Sequence, residues 1–192
     1  MNQFFKLAIL VPGALCFFPN WLHKEDHARH HLLLRSDKNR NSGLTALQWV
    51  NCLRSQEGSK PLRVSVQLTK AAQMHSAYQS SQKSMTHIGS NNSTISERVK
   101  DQGYAFKAIA ENIHHGFAHT KQIMLDFFNS TKHMDNLANP IYEDFGAAED
   151  NSYVTHVFGT ALTSDYPANP PSCPKKCPYI AFQSNHFKNK AL

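Results

Sequence analysis

No apolar run in the 192 residues approaches the roughly 20 that a membrane-spanning helix needs; the longest is Leu7 to Phe18. No segment repeats, which sets aside solenoids and propellers. Lysine and arginine outnumber acidic residues 20 to 14, giving +6 and a pI near 9.2. Yet the basic residues are scattered and no aromatic-basic stripe accompanies them, so nucleic acid is not an expected partner. Cysteine is scarce, at four. Cys173 and Cys177 lack the second pair that a zinc ribbon would need. What remains is ample for one globular core: 41% hydrophobic and 10% aromatic residues.

The chain divides into four parts. Residues 1–18 have a signal-peptide layout, Lys6 before a short apolar run, so the protein is expected to be secreted and not membrane-spanning once processed. Residues 19–41 form a polar linker with His23, His27, His30 and His31. Residues 42–163 carry the periodic, foldable sequence, and 164–192 are an irregular tail rich in proline and lysine. In an oxidising compartment Cys173 and Cys177 are placed to close a small disulfide loop, and Cys52 would then be a buried free thiol. Two sequons, Asn92-Ser93-Thr94 and Asn129-Ser130-Thr131, fit a glycoprotein of the secretory route.

Within the foldable part, Leu44, Leu47, Val50 and Leu53 recur at helical spacing until Gly58 and Pro61. A second helix shows Leu68, Ala71, Ala72, His75 and Tyr78 on one face, where a core histidine is the default reading of His75. Thr94-Ile95-Ser96-Glu97 is a capping box that opens a short helix ended by Gly103. Thr120 can cap a further helix bearing Ile123, Met124, Phe127 and Phe128. Tyr142 to Ala148 and Tyr153 to Ala161 are predicted strands, with Glu149 to Ser152 as their turn. Period two then points His156 away from Tyr153 and Thr155. Helices flanking a small antiparallel sheet predict an α+β fold, an α-β-α sandwich.

Five segments in order resemble the CAP superfamily (cysteine-rich secretory, antigen five, pathogenesis-related), in its shorter branch common in bacteria. They are Val50-Asn51 with Arg54; Ser84 to His87; Ala110-Glu111-Asn112-Ile113; Phe127 to Leu137 with Asn139-Pro140; and Phe145-Gly146 with Tyr153 to Gly159. The resemblance implies an extracellular protein and places the family's cleft residues on His87, Glu111 and His133. The family's second glutamate falls on Ser130, its usual tryptophan on Phe127 and its strand glutamine on His156, so the cleft set is incomplete.

Two imidazoles and a carboxylate can supply three ligands to a divalent metal such as zinc and leave a fourth position for water. That is the chemistry of a metal-dependent hydrolase on His87, Glu111 and His133, with Ser130 and His156 as further cleft candidates. The family resemblance instead implies a non-enzymatic protein that binds a sterol or fatty acid, or acts on neighbouring cells. A third expectation is a cell-surface or matrix partner met by the basic tail. His114, His115 and His119 are expected in an exposed loop.

Overall fold

The computed structural model describes residues 46–163. The expected leader, linker and tail, the tail's Cys173 and Cys177, and residues 42–45 lie outside the described residues.

The first helix, α1 (Ala46–Gln56), buries Leu47, Val50 and Leu53, as its spacing predicts, and also Trp49. Its two polar family-like positions are structural. Asn51 clamps the next turn, donating to the Leu62 carbonyl at 3.0 Å and accepting from the Leu62 amide at 2.7 Å. Arg54 is fully buried, and its guanidinium donates to the carbonyls of Lys60, Leu137, Asn139 and Tyr142 at 2.7–3.0 Å. A five-donor guanidinium can satisfy several helix-end carbonyls at once, which a lysine cannot.

After β1 (Arg63–Val64) comes α2 (Val66–Gln82), capped by Ser65, whose hydroxyl accepts from the Leu68 amide. Leu68, Ala71, Ala72 and His75 are buried on its inner face. A short 3-10 turn (Ser90–Asn92) leads to α3 (Ile95–Asp101), which opens with the expected capping box and is followed by Gly103 at φ +77. Strand β2 (Phe106–His115) precedes α4 (Thr120–Phe128) and α5 (Thr131–Ala138). Strands β3 (Asp144–Asp150) and β4 (Tyr153–Ala161) close the domain.

The sheet order is β1-β3-β4-β2, antiparallel except that β1 runs parallel to β3. Asn151 and Ser152, both at positive φ, form the tight β3–β4 turn that right-handed strand twist favours. Strand β3 therefore extends two residues past the expected Ala148 and starts two after Tyr142. The cap of α4 is His119 and not Thr120, which is the first helical residue.

Two cores flank the sheet, giving the expected sandwich. On one face Trp49, Phe127, Leu137, Phe145 and Phe158 join α1, α4 and α5 to the strands. On the other, Leu68, Ala71, Ala72, Val99, Ala148 and Val157 join α2 and α3 to them. The second layer sits close to the strands. A Cβ on Gly146 would lie 2.2 Å from the Leu68 carbonyl carbon, so this glycine is what lets α2 touch the sheet. Among the described residues no helix is long and apolar enough to cross a membrane.

Candidate functional site

Strand β2 supplies the site, and its two-residue period decides which groups meet. Glu111 faces the α2–α3 layer, where its partners His75 and Arg98 stand. Asn112 and His114 face the opposite layer, where they meet α5 and α4. Adjacent residues of one motif therefore serve opposite sides of the sheet.

The Glu111 carboxylate is nearly buried and both its oxygens are engaged. His87 Nδ1 donates to Oε1 at 2.9 Å, and Arg98 Nη2 donates to Oε2 at 2.7 Å. Arg98, 6% exposed, also donates through Nη1 to the carbonyls of His87 at 3.1 Å and Ser93 at 2.8 Å. This guanidinium balances the buried carboxylate and fixes the loop that presents His87. The His87 side chain itself is largely exposed. Below it, His75 Nε2 donates to the Thr86 carbonyl at 2.7 Å and lies 3.7 Å from Glu111 Oε1. Burial holds the His75 imidazole below its ordinary pKa, against the opposing pull of Glu111. It is a core histidine that braces the His87 loop.

On the other face, Asn112 Nδ2 donates to the His133 carbonyl at 3.1 Å, and Asn136 Nδ2 donates to Asn112 Oδ1 at 2.8 Å. These amides tie α5 to β2 and set where His133 stands. Phe127 packs edge-on to three imidazoles, with ring centroids 4.8 Å from His133, 5.2 Å from His156 and 6.0 Å from His114. Burial holds His133 below its ordinary pKa, helped by nearby His87 and His114. Full burial, with His114 and His133 adding to it, pushes His156 down to about 3.

Some expectations change here. His156 is a core residue wedged between Phe127 and Phe145, not a cleft residue, because β4 is buried on both faces. His114 and His115 lie at the end of β2 and not in a loop. His114 Nε2 donates to Asp126 at 2.9 Å, and His115 stacks on Tyr153 at 4.1 Å. Cys52 is disulfide-bonded, so the free-thiol reading is wrong. Ser130 is the N-cap of α5 and makes no side-chain capping bond.

The donor set does not fit a three-ligand metal centre. Among the described residues no three His, Cys, Asp or Glu side chains group as metal ligands. Glu111 spends its two oxygens on Arg98 and His87, and a cation already sits against it. Arg98 and His75 are the site residues that motif reasoning missed. Within a short amphipathic helix such as α3, nothing local distinguishes a buried arginine from a solvated one.

The pattern of the cysteine-rich secretory protein family, CAP, matches residues 47–158, more than half of the chain. The chain belongs to the CAP family. Its fold is similar to that of an extracellular SCP-domain protein from Bacillus anthracis, at 19% identity and a TM-score of 0.59 over 77% of this chain and 44% of that one. It is similar to an outer surface protein from Borrelia burgdorferi, at 18% identity and 0.54 over 58% of this chain and 86% of that one. A cysteine-rich secretory protein from Staphylococcus aureus matches at 18% identity and 0.52, over 68% of this chain and 38% of that one. The CAP chain thus spans less than half the length of the Bacillus and Staphylococcus proteins. No curated sequence matches it.

Proposed function

We propose that this CAP protein is secreted and works by binding, taking an apolar or amphipathic ligand such as a sterol or fatty acid beside His87. The observation that carries the reading is the committed carboxylate. With Glu111 bonded to Arg98 and His87, and Ser130 standing where the family has a second glutamate, no uncommitted carboxylate of the family set is left to act as a general base. Met85 and Ile88, which flank the exposed His87, are themselves 53% and 46% exposed. A thioether and a branched chain beside an open imidazole give an adaptable apolar rim with a polar point of attachment. Secretion is supported by the fold neighbours, one described as extracellular and one as an outer surface protein.

The test is binding of a fluorescent sterol and a fluorescent fatty acid to the purified protein. Saturable uptake of one of them, lost in Met85→Asp with Ile88→Asp, is the expected result. Failure of both probes to bind would remove the lipid reading and leave family membership untouched.

A further inference from the structure

We infer that a second ligand site lies in the cleft between α2 and α3, and that it takes a neutral, hydroxyl-rich ring, that is, a sugar. The cleft has a volume of about 360 Å3. That is near the lower end of small-molecule sites, roughly 300–1,000 Å3, and suits a single ring better than a sterol or an acyl chain. It is bounded by Met74, His75 and Tyr78 of α2, by the turn around Asn91, and by Glu97, Arg98 and Asp101 of α3. It is distinct from the rim of Met85 and Ile88, and does not depend on the lipid reading.

The signs of its groups select the ligand. Glu97 and Asp101 stand one helical turn apart, a spacing that lets two carboxylates accept from hydroxyls on neighbouring ring carbons. Glu97 meets Thr94 through Oε2 alone, in the capping box. An anionic ligand would meet these two carboxylates. A cationic one, which brings only donors, would leave the buried Arg98 Nε donor without an acceptor.

A neutral hydroxyl suits both, because it donates and accepts at once. The buried residues at the cleft show the same duality. His75 is fully buried, and with Nε2–H given to Thr86 its Nδ1 is an acceptor without a partner. Arg98 Nε is a buried donor without a partner. Each is an unsatisfied buried polar atom on a residue that lines the cleft, one an acceptor and one a donor, and a hydroxyl or a water can serve either kind. Tyr78 and Met74 supply an apolar wall for the C–H face of the ring.

The experiment is amide NMR of the full chain, titrated with the methyl glycosides of glucose, galactose, mannose and N-acetylglucosamine to about 20 mM, well above a millimolar Kd. Spermidine and acetate are titrated in parallel. The expected result is saturation by at least one glycoside, with shifts centred on residues 74–78 and 89–101. Asp101→Asn should weaken it about tenfold, the loss of one charge-assisted hydrogen bond. Glu97→Gln should weaken it too while keeping the fold, because glutamine also completes a capping box. Silence of all four glycosides overturns the proposal. So does saturation of these residues by spermidine or acetate in place of sugar, or glycoside binding indifferent to both substitutions.

Discussion

The two faces of the sheet hold their helices by different means. Against α1, α4 and α5 the strands present large apolar side chains, Phe145 and Phe158 among them, packed on Trp49 and Phe127. Against α2 they present smaller groups, Gly146, Ala148, Thr155 and Val157, and polar contacts pin the layer in addition to its own small core. Ser76 donates to the Ala148 carbonyl at 3.1 Å, its oxygen shares a hydrogen bond with the Thr155 hydroxyl at 2.9 Å, and Gln79 donates to Thr155 at 3.1 Å. The aromatic face supplies burial; the close face supplies direction. The Glu111 network belongs to the second kind, and its geometry is set by donors and acceptors more than by volume.

The sharpest way to break this contrast is one substitution on each face. Phe127→Ala should cost about 3–5 kcal/mol by leaving a cavity. Arg98→Met should cost a similar amount, about 3–5 kcal/mol, for another reason: it leaves Glu111 buried and uncompensated. Adding Glu111→Leu to Arg98→Met should recover most of that loss, whereas no polar partner can rescue Phe127→Ala. Chemical denaturation of the three variants reads this directly. Equal losses in the single and double Arg98 variants would show that packing governs both faces.

Gly146→Ala tests the close face alone. Its Cβ would meet the α2 backbone at 2.2–2.6 Å, and backbone cannot rotate aside as a side chain can. A loss of about 1–3 kcal/mol is expected, typical of overpacking, with α2 displaced in the amide spectrum.

Acid should act on both faces. His75, His133 and His156 all titrate below the ordinary histidine pKa in the folded protein, chiefly through burial. Below about pH 6.5 the unfolded chain therefore binds protons that the folded chain refuses, and stability falls as pH falls. For His156, with a folded value of about 3, the decline continues across the whole interval, by up to about 1.4 kcal/mol per pH unit. His156→Leu should flatten the curve between pH 6 and pH 4, on the order of that slope, and leave a shallower decline. A wild-type curve flat down to pH 4 would contradict the placement of these imidazoles.

The smallest expected effect lies at the edge that joins the two faces. Asn136→Ala removes the donor to Asn112 and should cost about 1 kcal/mol, read as a small shift in the denaturation midpoint.

Much of this was legible in the residues themselves. The spacing of Leu47, Val50 and Leu53, the Thr94–Glu97 box and the alternation from Tyr153 to Ala161 each depend on local physics, and each element stands as expected. Strand β2 is legible only as a motif, because Ala108 and Ala110 with Glu111 and Asn112 give no clear period of apolar residues. It borders two layers, so both sets of its side chains have partners. The same property hid the site. Glu111 and Asn112 are neighbours in sequence and serve opposite faces, and the partner that fixes Glu111 is Arg98, thirteen residues earlier on a short helix. Long-range charge pairing leaves no periodic trace.

Whether the Glu111 carboxylate is spent inside the fold decides between ligand binding and metal chemistry at this site. Zinc titration calorimetry of the wild type, of Glu111→Gln and of His87→Ala with His133→Ala measures that most directly. The expected result is no stoichiometric zinc uptake at micromolar metal by any of the three, with binding of sterol or fatty acid probes unaffected by chelator. One zinc per chain in the wild type, lost in both Glu111→Gln and the histidine pair, would contradict it.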